Sequence, residues 1–302
     1  MVSTITLNDG SKIPIIAFGT WTAGHGQIVT DRVEQALDTG FDHIDTAQSY
    51  GNEEETGKAI RESGLKRTQI YVTTKFSGRK DVETSIKDSL KYLGLEYVDL
   101  YLVHHPRLAN GDIPGLWKKM EKIKADGLAK SIGVSNFGLE DLKILYEHAK
   151  VLPVVNQIYF NPYSYKQQLD AHAFGISHGI VTEAYSALDP ITRRPGGPVD
   201  RPLAVISRRH NVTPEQVLLA WVRQKHAVAV TYSSKKERLE GYLDSLELEL
   251  LPDEIAALDY AGAKKWWLST STIAKRVVPV LAMSALGLGV SYYTGNDIRL
   301  SA

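Results

Sequence analysis

Eight times along the chain a short apolar run stops at a polar or aromatic residue and gives way to an amphipathic stretch. The first runs are Ile15 to Phe18, ending at Gly19-Thr20-Trp21, and His43-Ile44, ending at Asp45. Ile70 to Thr74 ends at Lys75, Val98 to Val103 at His104, and Ser131 to Val134 at Ser135-Asn136. Val154 to Asn156 ends at Gln157, Ile180 to Ala184 at Tyr185, and Ala227 to Val230 near Ser233. Helical patterns lie between them, among them Thr30 to Leu37, Glu53 to Arg61, Val82 to Leu93, Leu116 to Ala125, Leu139 to His148 and Pro214 to Arg223. Eight strand–helix units in about 250 residues match a (β/α)8 TIM barrel in count and length. A doubly wound open sheet competes, but no Gly-x-Gly-x-x-Gly follows the first strand. Ahead of the first unit, Thr4 to Leu7, Asn8-Asp9-Gly10 and Lys12 to Ile16 read as a β-hairpin. The barrel domain is expected over residues 1–263, with a C-terminal tail over 264–302.

In such a barrel the strand ends and the loops after them form the functional mouth. Asp45, Lys75, His104, Asn136, Gln157 and Tyr185 all occupy strand ends. Tyr50 sits in the loop after Asp45, and Asn52 with Glu55 reads as a capping box that starts a helix directly behind it. A ring of such residues is a stronger signal than any one of them.

Lys plus Arg and Asp plus Glu number 35 each, so no net field draws nucleic acid or anionic lipid. There is no cysteine, which removes disulfides and thiolate metal sites and fits the cytosol. The first residues lack the basic and apolar regions of a signal peptide. His104 and His105 are adjacent on a strand and face opposite ways, so no metal site is expected from them.

The chain resembles an aldo-keto reductase along nearly all of Ile13 to Ala263. The resemblance rests on Gly19-Thr20-Trp21, Asp45-Thr46-Ala47, Tyr50-Gly51-Asn52-Glu53, Thr74-Lys75 and Asp99 to His104. Gly133 to Phe137, Val155-Asn156-Gln157 and Ala184-Tyr185-Ser186 extend it, in order. It implies that Tyr50 is the proton donor and that Asp45, Lys75 and His104 complete a catalytic tetrad. Hydride delivery to a carbonyl makes an alkoxide that needs a donor aimed at its oxygen. Free tyrosine titrates near ~10, so the Lys75 ammonium is expected to lower that value, with Asp45 holding the lysine charged. The plain structural alternative is an ion pair between Lys75 and Asp45 with no chemical role.

The resemblance also implies a nicotinamide dinucleotide held without a Rossmann unit. Ser135, Asn136 and Gln157 match the residues that bind its carboxamide, and Tyr185 the aromatic that stacks on the ring. Thr20, Asp45, Ser186, Leu188, Ser233 and Arg238 complete the implied cofactor contacts, Arg238 at the 2′-phosphate and adenine. Ser234 with Glu237 reads as a second capping box, aiming a helix N-terminus at that phosphate. Tyr232 and Tyr242 stand where many members carry lysine and asparagine, so NADPH is expected with tolerance of NADH.

Residues 231–238 and 186–198 are similar to the fungal-type conjugated polyketone and α-keto amide reductase branch. That likeness implies activated ketones, α-dicarbonyls and aldehydes as substrates, bound by Trp21, Tyr50, His104 and His105. It implies a monomer with small-molecule carbonyl substrates as its partners. A reading from another class is a cofactor-binding, redox-sensing regulatory subunit on the same fold with little turnover.

In the tail, Lys275-Arg276 precede a stretch from Val277 through Asn296 that carries no charge. About twenty helical residues span ~30 Å, the thickness of a bilayer core. Preceding basic residues and tryptophans, and Tyr292-Tyr293 near the far end, match membrane-interface anchors. A transmembrane helix over 277–296 is therefore expected, tethering a cytoplasmic barrel to an intracellular membrane. The alternative is a tail that folds over the barrel mouth with Trp266 or Trp267 in the pocket.

Overall fold

The computed structural model describes residues 2–264. Strands β1 (Thr4–Thr6) and β2 (Lys12–Pro14) pair antiparallel with Ile5 opposite Ile13. Next come β3 (Ile16–Gly19), β4 (His43–Asp45), β5 (Tyr71–Phe76) and β6 (Val98–Val103). They are followed by β7 (Ala129–Ser135), β8 (Val155–Tyr159), β9 (Val181–Tyr185) and β10 (Ala227–Thr231). These eight strands are parallel neighbours in chain order, and β10 pairs with β3 to close the barrel. The recurrence in the sequence thus corresponds to barrel units.

Helices fill the crossovers, because a parallel neighbour can be reached only by a long return connection. The helix predicted over Thr30 to Leu37 runs Gln27–Thr39, and that over Leu116 to Ala125 begins at Ile113. Pro114 sits in the first turn of the latter, where its missing N–H costs nothing, and Asp112 Oδ1 accepts from Gly115 N at 2.8 Å. Helices Pro162–Ser177, Asp200–His210, Lys236–Asp244 and Pro252–Gly262 complete the outer layer.

Both expected capping boxes fail. The helix after the Tyr50 loop does begin at Glu53, but Asn52 makes no side-chain cap. Its amide instead donates to Thr20 O at 2.9 Å, while Glu55 accepts from Gly26 N at 2.9 Å. Tertiary partners have taken both side chains. At the other site the helix starts at Lys236, and Ser233 rather than Ser234 accepts from a backbone N–H, that of Lys235 at 3.1 Å.

The barrel interior divides into two levels. Leu100, Leu102, Val155 and Val228 pack below, and the hairpin plugs that end with Leu7 and Ile13. Gly133 faces this crowded axis, where a Cβ would lie 2.8 Å from Val155 O, so no larger residue fits without displacement. Above the apolar plug the inward residues are polar: His43, Asp45, Thr73, Lys75, Gln157 and Glu183 are all buried. The dry plug and the outer helices thus carry the stability, and the polar level opens at the strand C-termini. The expected membrane helix over 277–296 lies outside the described residues. Among the described residues no helix is long and apolar enough to cross a membrane.

Candidate active site

Strand alternation turns His43 and Asp45 to the same, inner side of β4, and Tyr71, Thr73 and Lys75 to that of β5. Register pairs Asp45 with Thr73, which sets Lys75 one pleat higher. From there its Nζ donates to Asp45 Oδ1 at 2.6 Å, to Thr46 O at 2.8 Å and to the Tyr50 hydroxyl oxygen at 3.3 Å. The tyrosine arrives on a single 3-10 turn, Gln48–Tyr50, closed by Gly51 at φ 68. The turn is braced from behind by Ser77, whose hydroxyl donates to Gln48 Oε1 at 2.6 Å.

His104 stands edge-on to Tyr50, their ring centroids 5.8 Å apart. Its Nδ1 lies 3.3 Å from the hydroxyl of Ser49. Burial, with the Lys75 charge adding to it, holds the His104 imidazole down to about 3. The ring is neutral at physiological pH.

The phenol of Tyr50 departs from the sequence expectation. Burial raises its pKa and outweighs the lowering by Lys75. The Asp45 carboxylate adds to the rise, because it disfavours a second anion nearby. Lys75 remains charged: burial lowers its pKa, but the negative charge around it, Asp45 foremost, together outweighs that and raises it. Tyr50 is therefore a protonated phenol across the neutral range, with a cation in place to receive negative charge on its oxygen.

One wall is built from strand ends that hydrogen-bond among themselves. Ser135 Oγ donates to Gln157 O at 2.8 Å, Asn136 Nδ2 to Ser135 Oγ and to His104 O at 3.0 Å each, and the Tyr185 hydroxyl to Asn136 Oδ1 at 2.8 Å. Asn136 and Ser186 take left-handed backbone conformations, φ 62 and φ 57, at the ends of β7 and β9. Such geometry is sparsely populated outside glycine and persists where surrounding contacts impose it. With these donors committed to one another, the polar atoms left to face outward are largely acceptors, which suits the NH2 of a carboxamide.

The cavity in front of this wall measures about 710 Å³. It gathers Trp21, Asp45, Tyr50, His104, Ser135, Asn136, Gln157, Tyr185, Ser186 and Leu188 from the residues singled out in sequence. Lys75 lies beneath it, fully buried. Four others fall outside the lining. Thr20 is buried behind the turn, donating to Thr46 Oγ1 at 2.9 Å. His105 turns away, its Nδ1 accepting from Arg107 N at 3.2 Å. Ser233 and Arg238 are not part of the cavity lining, which includes their neighbour Tyr232.

The structure also adds residues. Ser49 precedes Tyr50 in the same loop, so its neighbour was a sufficient signal. Thr46 contributes a backbone carbonyl, which no residue type announces. Asp189, Thr192 and Arg193 also line the cavity, with the Arg193 guanidinium 5.3 Å from the Trp21 ring centroid.

A parallel barrel whose mouth sets a phenol on a buried, carboxylate-paired ammonium beside a neutral imidazole has the make-up of an oxidoreductase that acts on carbonyls. The chain belongs to the aldo/keto reductase family, which it matches over residues 15–263. It is 37% identical over 273 residues to an NAD/NADP-dependent indole-3-acetaldehyde reductase of Schizosaccharomyces pombe, covering 86% of this chain and 96% of that one. It is 33% identical over 259 residues to a methylglyoxal reductase of Escherichia coli, covering 85% and 92%. Among solved structures it superposes on a Bombyx mori aldo-keto reductase in complex with NADP with a TM-score of 0.79, at 31% identity, covering 87% of this chain and 94% of that one.

Proposed function

We propose that this chain reduces aldehydes and activated ketones, α-dicarbonyls among them, with NADPH as the preferred cofactor and NADH tolerated. The observation that carries the reading is the contact of Lys75 Nζ with both Asp45 and the Tyr50 hydroxyl, at 2.6 Å and 3.3 Å, at the floor of an open cavity. A bound nicotinamide supplies the hydride. The chain supplies the rest: Tyr50 gives its proton to the carbonyl oxygen as negative charge grows there. Lys75 then stabilises the phenolate, and Asp45 keeps Lys75 charged.

His104 orients the substrate. A Ser49 hydroxyl donating to Nδ1 leaves Nε2 as the N–H that meets the carbonyl oxygen, a tautomer a neutral ring allows. Ser135, Asn136 and Gln157 would hold the carboxamide, and Tyr185 would stack on the ring. Ser186 and Leu188 would contact the same dinucleotide, and Ser233 and Arg238 would hold its adenosine end. The S. pombe relative's dual cofactor name and the NADP in the B. mori structure support nicotinamide dinucleotides. The E. coli relative's name supports dicarbonyls. Steady-state oxidation of NADPH with methylglyoxal tests the reading; no turnover with any of a panel of dicarbonyls and aldehydes overturns it.

A further inference from the structure

Beneath the tetrad lies a second carboxyl group that the mechanism above does not use. Glu183 is wholly buried in the middle of β9, two residues before Tyr185 and therefore on the same inner face. Its Oε2 accepts from Gln157 Nε2 at 3.1 Å, and the same nitrogen donates to Asp45 Oδ2 at 2.8 Å. Two acceptors thus claim the two amide hydrogens of Gln157. The amide cannot turn over without setting its carbonyl oxygen against both carboxyls, so Oε1 is the end that serves the cavity.

The surroundings also fix the charge. From β4, His43 brings Nε2 within 3.8 Å of Glu183 Oε1, and Asp45 adds a carboxylate. From β5 come Lys75 and Tyr71, and from β10 only the apolar Val228 alongside. His43 is neutral, because burial and then the Lys75 charge hold it down to about 3. One cation, already paired with Asp45, faces two acids, and Glu183 Oε1 has no hydrogen-bond donor. Oε1 has no partner in either state, and an unpartnered buried charge costs far more than an unpartnered hydroxyl, so the proton belongs on Oε1 and Oε2 remains the acceptor.

We propose that Glu183 is a positioning residue for carbonyl reduction: as an uncharged acid it fixes, together with Asp45, which end of the Gln157 amide meets the cofactor. The inference rests on the reading of the site as a nicotinamide-dependent reductase. Burial first, and the Asp45 charge second, push the Glu183 carboxyl up to about 8. Ionisation above that pH adds negative charge below Tyr50 and raises its pKa further, making it a poorer donor.

The test uses the full chain as wild type, Glu183→Gln and Glu183→Leu, with folding checked by circular dichroism. NADP⁺ affinity is read by quenching of tryptophan fluorescence, and kcat for methylglyoxal is followed from pH 6 to 10. E183Q keeps an acceptor for Gln157, so its affinity stays within about twofold of wild type; E183L loses that acceptor and weakens binding about tenfold. The wild-type profile turns down near pH 8, whereas E183Q lacks that step. Wild-type affinity in E183L, or an unchanged step in E183Q, overturns the proposal while leaving the parent reading intact. If E183L does not fold, the E183Q profile alone decides. A wild type that neither binds NADP⁺ nor turns over methylglyoxal instead overturns the parent reading, and this proposal with it.

Discussion

The ammonium of Lys75 lies 2.6 Å from Oδ1 of Asp45, with side-chain exposures of 0% and 3%. A pair this dry gives little net stability while both partners are present, because desolvation cancels most of the attraction. Removing one partner is another matter. Asp45→Asn leaves a buried ammonium without its counter-ion, a loss of about 3–5 kcal/mol. The expected outcome is a lower urea midpoint with an unchanged slope, together with a fall in kcat as Lys75 loses its proton. Unchanged stability would mean that Lys75 finds solvent or another partner.

Tyr50→Phe removes one hydroxyl and leaves the ring that packs edge-on against His104. General acid catalysis contributes about 10²–10⁴-fold, so kcat for methylglyoxal should fall by that order. NADP⁺ affinity, read by fluorescence, should move by less than about threefold, since the wall of Ser135, Asn136 and Gln157 is untouched. A variant that keeps most of its turnover would remove Tyr50 as the donor. A wild type that binds NADP⁺ yet shows no more turnover than the variant would favour a redox-sensing role.

How far the chain could be read in advance depended on where each partner lies. Strand count, closing residues and the Tyr50 loop were legible because alternation and turn chemistry are local. Glu183 was overlooked inside the run Ile180 to Ala184, although an acid two residues before Tyr185 points to the same face. The Asn52 and Ser234 caps do not form because both motifs are local patterns: in the fold Asn52 serves Thr20, and the helix from Lys236 has no side-chain cap. The sign of the Tyr50 shift was missed for a different reason. Burial of the phenol sets it first, against the lowering by Lys75, and the burial of a loop residue is a tertiary fact that no local pattern reports.

Three histidines make the fold sensitive to acid. Burial is the leading cause in each case: His43 and His104 are held down to about 3, and His172 to about 4. In the unfolded chain a histidine takes its proton near 6.5. Between that value and the folded pKa the unfolded state binds more protons, so stability falls as pH drops through the window and is fully present above it. The loss approaches about 1.4 kcal/mol per pH unit for each fully buried ring. Glu183, pushed up to about 8, works in the opposite sense over the same window and offsets about one of the three rings. Urea midpoints should therefore decline from pH 6 down to 5, and His172→Asn should flatten the slope. An equally steep slope in that variant would assign the effect to other groups.

The adenosine end decides between the two cofactors. Tyr232 lines the cavity, tilted on Phe18 with ring centroids 5.5 Å apart, and the Arg32 guanidinium lies 5.6 Å from its ring. A neutral side chain there offers a 2′-phosphate no charge. In the proposed pose that role falls to Arg238, exposed on the helix Lys236–Asp244. NADPH differs from NADH only by that phosphate, so a contact made to it alone must change one affinity and spare the other. A charge-assisted hydrogen bond is worth about 1.5–3 kcal/mol, which makes a tenfold or greater rise in Kd for NADPH the expectation for Arg238→Ala. The Kd for NADH should stay within about twofold, because the contact removed is absent from that complex. Tyr232→Lys should act in the opposite sense, tightening NADPH alone. If R238A weakens both cofactors equally, the arginine binds the adenine or ribose they share, and the preference must be set elsewhere along the cavity.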